Sequence, residues 1–368
     1  MAGKAAPRVA KTWANTSLAT LIDLYILSKQ IEGRSAKTLT WYRANLERFA
    51  GFMTNGHEPT LSEVSLDDAR AFIGHLQGRT TRYEDHEMRP AKEGGLSPHS
   101  VHAYVRTLKA FGNWLCAEGY VSSHPFERLK PPKLPETMIE ILSDDEILSL
   151  VKAINPNSPL GARMHAVVLL LLDTGIRANE LCTLTLDHTN LKEGYIKVRG
   201  KGNKERMVPI GGATKKSLTR YIQAFRAEPV QDGVNQVFLS DDATPFTYSG
   251  LAQALRRLGV AAGVDRLHAH LFRHTFAVRY LMNGGDIMTL RLILGHTTLD
   301  VTQIYMHLAD AHIQVQHSKF SPVDRLEISR SRRETRGGKE LVQGRKEKVC
   351  EDAKTALNRT TSKRSSAA

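Results

Sequence analysis

Pro125, Pro131, Pro132 and Pro135 fall close together and alternate with basic residues in PFERLKPPKLP. Proline fixes φ and lacks an amide donor, so neither a helix nor a central strand can run through such a stretch. A semi-extended linker over residues 126–140 is therefore expected, with one core before it and another after it. The 368 residues suffice for two ordinary domains.

Upstream of the linker the apolar pattern is helical. Leu18, Leu21, Ile22, Tyr25 and Ile26 recur at three- and four-residue steps, as do Leu39, Tyr42, Leu46 and Phe49. Ser65 reads as an N-cap, with Asp67 and Asp68 in the first turn of a helix that carries Phe72, Ile73 and Leu76. Residues 78–95 are polar and charged, which predicts an exposed loop. Ser97 and Pro98 then open a stronger helix with Val101, Tyr104, Val105, Leu108, Phe111 and Leu115, ended by Gly119. Residues 17–125 thus predict a four-helix unit, after an N-terminal extension over 1–16. Lys37, Arg43, Arg48, His99, Arg106 and Lys109 lie on or beside these helices. Each has two readings, an ordinary solvated face or a phosphate contact.

Downstream, Ser143-x-x-Glu146 is a capping box that opens a second domain over 141–320. Ala166–Leu172 reads as a buried helix, broken at Thr174-Gly175 within DTGIRANEL before a second helix that carries Arg177, Glu180 and Leu181. Tyr195–Arg199 and Arg206–Ile210 flank GKGNKE and predict a hairpin with Lys201 at or beside its tip. Lys215–Phe225 reads as helix, Val237–Leu239 as a short strand and Ser249–Leu258 as an arginine-rich helix. The fold class is mainly α with a small antiparallel β-sheet. From about Ser321 the text is Arg, Lys, Glu, Ser and Thr with few large apolar residues, a polar basic tail expected to be flexible.

The formal charge of +13 favours a polyanionic partner, nucleic acid ahead of an anionic membrane, although much of it lies in the tail. Three scattered cysteines, Cys116, Cys182 and Cys350, argue against a disulfide framework and for a reducing, cytoplasmic setting. No apolar run approaches the length of a membrane helix, and the basic first residues lack the apolar core of a secretory signal.

Chemistry concentrates between His268 and His307, where HAHLFRHTF, LILGHTTLD and TQIYMHL place His270, Arg273, His296 and Tyr305 on successive short helices. A guanidinium fork matches two phosphate oxygens, an imidazole adds a further hydrogen bond, and a phenol beside cations is a potential nucleophile. His270 and His274 stand at i and i+4, but HExxH is absent and no third ligand is indicated, so no metal is assigned. Neither a magnesium-type carboxylate cluster nor a GxxxxGK[ST] nucleotide loop is present.

Taken in order, TGIRANEL, GKGNKER, HLFRHTFA and LGHTTLDVTQIY resemble the tyrosine recombinases, or phage integrases, over about residues 17–320. The resemblance implies a helical core DNA-binding domain followed by a mixed α+β catalytic domain. It implies that Arg177, Lys201, His270, Arg273 and His296 surround one scissile phosphate of double-stranded DNA at a specific recombination site, with Tyr305 as nucleophile. Lys201 would be the general acid, with Lys204 in the same turn as its rival, and Glu180 would hold an arginine. It further implies a homotetramer acting on two sites, with no cofactor. A type IB topoisomerase would use the same pocket without a specific site. A non-catalytic DNA-binding regulator would keep the fold but lose the tyrosine or an arginine, and none is lost. Absence of an arm-binding domain before Ser17 favours a simple integrase or Xer-like resolvase.

Overall fold

The computed structural model describes residues 13–82, 92–135, 139–200 and 204–295, together with His317 and Ser321. The chain divides into two compact units, residues 1–137 and 138–368.

The first unit holds α1 (Leu18–Ile31), α2 (Ala36–Met53), a 3₁₀ turn (Leu61–Glu63), α3 (Leu66–Gly78) and α4 (Pro98–Ala117). A serine caps each α-helix: Ser17, Ser35, Ser65 and Ser97 accept from the amides of Thr20, Thr38, Asp68 and Ser100. Such caps satisfy amides that a helix leaves without partners. The expected apolar faces meet in one aromatic core, where Tyr25, Phe49, Phe72 and Phe111 are fully buried. Tyr25 packs edge-to-face on Phe111 and Trp114 at centroid distances of 5.4 and 5.5 Å.

Two features differ from the sequence expectation. The polar stretch after α3 is closed at its base by a two-residue antiparallel ladder, β1 (Thr81–Arg82) with β2 (Lys92–Glu93). The first core also continues past Pro125, because Phe126 and Leu129 are buried in it and Phe126 packs on Phe49 at 5.9 Å. His124 directs this turn: its Nδ1 accepts from the Phe126 amide at 3.0 Å and its Nε2 donates to Lys109 O at 3.1 Å. The linker proper therefore starts after Leu129.

The second unit contains α5 (Asp144–Lys152), α6 (Pro159–Thr174), α7 (Ala178–Cys182), β3 (Thr189–Asn190), β4 (Tyr195–Arg199), β5 (Glu205–Pro209), α8 (Gly212–Arg220), α9 (Tyr248–Ala262), α10 (Ala269–Met282) and α11 (Ile287–Leu294). The predicted hairpin forms, with Ile196 opposite Val208 and Val198 opposite Arg206, and β3 adds a third antiparallel strand that the sequence did not announce. Alternation turns Ile196, Val198 and Val208 inward. Helix α8 begins earlier than expected and passes into a π turn at Tyr221–Phe225. Val237–Leu239 is buried but is not a strand. Gln236 bridges to Thr185 and Leu239 to Pro245, so the segment threads between two neighbours instead of pairing along one.

Helix α6 packs against both α8 and α10. The chain entering this unit is fastened to α10: the Leu142 amide donates to Thr275 Oγ1 at 2.9 Å, and Arg279 donates to Leu142 O at 3.0 Å and to Asp144 at 2.5 Å. Among the described residues no helix is long and apolar enough to cross a membrane.

Removal of the Phe126 ring tests where the first core ends. In the full chain, Phe126→Ala is expected to lower the stability of the first unit by about 3 kcal/mol. Denaturant unfolding would show it, and an unchanged midpoint would place Phe126 outside the core.

Candidate active site

Helix α11 ends at Gly295, whose left-handed φ of 65° turns the chain out of the helix just before His296. The last carbonyls of a helix have no partners within it. Here three successive ones are taken up by three arginines from distant segments. Arg206 Nε donates to Ile293 O at 2.7 Å, Arg273 Nη2 to Leu294 O at 2.9 Å and Arg177 Nη2 to Gly295 O at 3.4 Å. Arg273 Nη1 also donates to Gly175 O at 2.8 Å, at the C-terminal cap of α6. Two helix ends, each carrying partial negative charge, thus converge on the buried Arg273 guanidinium.

Gly175 makes that convergence possible. Its φ is 59°, and a Cβ there would stand 2.5 Å from a Phe276 ring carbon and 3.0 Å from Leu294. Any side chain would push α6, α10 and α11 apart.

Glu180 fixes the remaining arginines. It lies in α7 with 3% of its surface exposed, and both its oxygens accept twice. Oε1 receives Arg177 Nη1 at 2.9 Å and Arg206 Nη1 at 2.8 Å; Oε2 receives Arg206 Nη2 and the Arg177 amide, both at 2.8 Å. Burial alone would raise its pKa, but the hydrogen bonds and charge of Arg206, the Arg177 amide and the Arg177 side chain outweigh it and hold the carboxyl below its ordinary value. About a third of the Arg177 side chain remains open to solvent.

His270 sits in the first turn of α10 and is exposed as a residue. Partial desolvation of its ring, followed by the positive charges of Arg273, His268 and Arg177, lowers its pKa from the ordinary value. Its ring meets that of His274 edge-to-face at 4.9 Å, and burial, followed by the charges of His270, His268 and Arg273, depresses His274 to about 4. Arg177, Glu180, His270 and Arg273, spread over nearly a hundred positions, thus share one positive field that opens to solvent at Arg177 and His270. Such a field suits an anionic oxygen cluster.

A model of the Phage integrase family matches residues 140–312. The tyrosine recombinase XerD of Staphylococcus aureus is 30% identical over 306 residues, covering 82% of this chain and 99% of its own. The chain belongs to the tyrosine recombinases. XerC of Oceanobacillus iheyensis is 32% identical over the same length, covering 82% of this chain and 95% of its own. The fold is shared with a solved XerH site-specific recombinase bound to a palindromic difH substrate, at a TM-score of 0.63, 17% identity, 82% of this chain and 84% of that one. Because the likeness to XerD and XerC spans both units, site-specific recombination is the activity, and the topoisomerase and regulator readings are not favoured.

Within the recombinase, Lys201, His296 and Tyr305 lie outside the described residues. Lys204 is exposed at the end of the hairpin, where its carbonyl accepts from the Gly200 amide at 2.8 Å. In the helical unit Lys37, His99 and Arg106 are exposed and Lys109 is half-buried. Arg48 donates to Tyr104 Oη at 2.7 Å, and Arg43 is bound to Asp23 at 2.6 Å and Glu47 at 3.4 Å, so a phosphate at Arg43 would have to displace two carboxylates. The residue that sequence reasoning missed is Arg206. A signal was there: period-2 alternation puts it on the same face of β5 as the buried Val208, and an inward arginine requires an acid.

Removing the Glu180 carboxylate would leave two guanidiniums without their counter-charge. Glu180→Ala is expected to cost about 3 kcal/mol at pH 7. Because the folded pKa is depressed, wild type holds this advantage fully above the ordinary carboxyl pKa of about 4.3 and loses it as pH falls through the lower folded value. Urea unfolding of both proteins from pH 7 to pH 3 should show the gap closing, and a constant gap would contradict the ion-pair account.

Proposed function

We propose that Arg177, Lys201, His270, Arg273 and His296 surround the scissile phosphate of a recombination site and that Tyr305 is the nucleophile. The observation that carries this reading is the convergence of Arg177 and Arg273 on the end of α11, immediately before His296 in the chain, with His270 near enough to feel the charge of both.

Attack by the Tyr305 oxygen forms a phosphorus–oxygen bond while the bond to the 5′ oxygen breaks. The five-coordinate state between them bears extra charge on its non-bridging oxygens, which two guanidiniums and an imidazole donor stabilise beyond the ground state. Burial and neighbouring cations keep His270 largely neutral at pH 7 before DNA arrives; a phosphate beside it would pull its pKa upward. Lys201 supplies the proton that makes the departing 5′ oxygen a competent leaving group. The product is a 3′-phosphotyrosyl ester, and a 5′-hydroxyl from a second strand reverses the step and reseals the DNA. One phosphodiester is exchanged for another of similar energy.

In this reading the helical unit, with its core through Leu129, grips duplex DNA, and residues 141–320 carry the chemistry. The free Cys116 and Cys182 fit a reducing cytoplasm.

A nicked duplex carrying a fragment selected from genomic DNA by the Tyr305→Phe protein is the natural substrate for the test. Wild type should form an adduct that survives denaturing electrophoresis, and Tyr305→Phe should not. An equal adduct from both proteins would rule out this nucleophile.

We further propose four protomers on two sites. The XerH complex on a palindromic substrate supports pairing of protomers across one site, since a two-fold DNA sequence matches a two-fold protein pair. Sedimentation of the Tyr305→Phe protein with site DNA should give a species of four chains and two duplexes. Strand exchange by a complex that stays monomeric would defeat the proposal.

A further inference from the structure

Arg206 links the Glu180 carboxylate to the last turn of α11. Its two terminal nitrogens grip the Glu180 oxygens end-on at 2.8 Å each, and its Nε donates to Ile293 O at 2.7 Å. Through Glu180 it reaches the amide and the guanidinium of Arg177. Its own strand belongs to the hairpin whose turn contains Lys201 in sequence. Glycines lie against its guanidinium. At Gly295 a Cβ would stand 2.9 Å from Nη1 and 3.0 Å from Cζ and Nε; at Gly200 it would stand 3.5 Å from Nη1. With 14% of its side chain exposed, Arg206 points into the protein, whereas Arg177 is 35% exposed.

A lysine could supply the charge but not this geometry. Its ammonium is one point on a flexible stem, whereas the three acceptors here, two carboxylate oxygens and a carbonyl, need the planar fork and the Nε–H together.

We propose that Arg206 is a positioning residue for strand cleavage: it aims Arg177 through Glu180 and pins the last turn of α11, so that groups on both sides of Gly295 meet the scissile phosphate in one register. The proposal rests on the phosphate-site reading above. It assigns Arg206 no contact with DNA, and it accounts for the glycine at position 295, where a Cβ would crowd that guanidinium.

The test compares wild type, Arg206→Lys and Arg206→Ala on two nicked duplexes that contain the selected fragment. One has an ordinary phosphodiester at the scissile position and the other a methylphosphonate, which lacks one non-bridging charge and so demands less of the aimed arginines. Both variants should bind the duplex with wild-type affinity; Arg206→Lys should keep a melting transition near that of wild type, whereas Arg206→Ala, which strips the buried Glu180 of a partner, should melt earlier. Adduct formation on the phosphodiester should slow by about 100-fold, the scale of a misplaced catalytic group. On the methylphosphonate the deficit should shrink to about tenfold or less, because the misaimed charge matters less there. If Arg206→Ala melts early, Arg206→Lys decides, since it keeps the charge and the stem. Cleavage by Arg206→Lys at the wild-type rate overturns the proposal, as does an equal deficit on both substrates. Loss of binding and melting in both variants also overturns it, making Arg206 a stabiliser of the fold only. Absence of an adduct from wild type on the phosphodiester is a separate result: it refutes the phosphate-site reading itself, and this proposal with it.

Discussion

The catalytic unit depends on one buried carboxylate between two guanidiniums. Desolvation of Glu180 would be prohibitive if it stood alone. It is ionised and stable there because its two oxygens accept four hydrogen bonds, three from guanidiniums and one from a backbone amide. The two arginines come from the α6–α7 junction and from β5, so a single carboxylate joins a helix turn to the sheet. That junction lies directly beneath the end of α11, whose carbonyls the same two arginines also hold.

The third guanidinium, that of Arg273, is gripped by two helix ends. The carbonyls of Gly175 and Leu294 orient Arg273 and offset part of the cost of its burial. In the proposed reading, a guanidinium oriented in this way presents its donors to the scissile phosphate.

Much of this was legible in the chain before any coordinates. The proline cluster marked the division into two units, serine caps marked the starts of α3, α4 and α5, and alternation around GKGNKE marked the hairpin. Each of these signals is local: a cap, a period or a turn acts within a few residues. What escaped was set by contacts between distant segments. Phe126 belongs to the first core because His124 bends the chain onto α4, which no periodicity encodes. The segment around Val237 has the composition of a strand, but among the described residues it makes only isolated bridges to Thr185 and Pro245. Arg206 looked like an ordinary strand residue because its partners, Glu180 and Ile293, lie 26 and 87 positions away.

Preorganisation explains why so many constraints surround so small a site. An arginine on a free stem gives up rotamer entropy each time it closes on a phosphate, and the orientation it adopts is set by the phosphate alone. Here the orientation is set beforehand: Arg273 by two carbonyls, Arg177 by Glu180 and Gly295 O. In the proposed reaction these donors need not reorganise as charge develops on the non-bridging oxygens, which is the condition under which fixed hydrogen-bond donors favour a transition state over its ground state. The same constraints dictate where glycine must stand. Gly175 and Gly295 adopt left-handed backbone at the two helix ends that hold Arg273, and both would clash through a Cβ with the side chains that draw those ends together. Two glycines and one buried glutamate thus turn a set of mutually repelling cations into a rigid, anion-seeking surface.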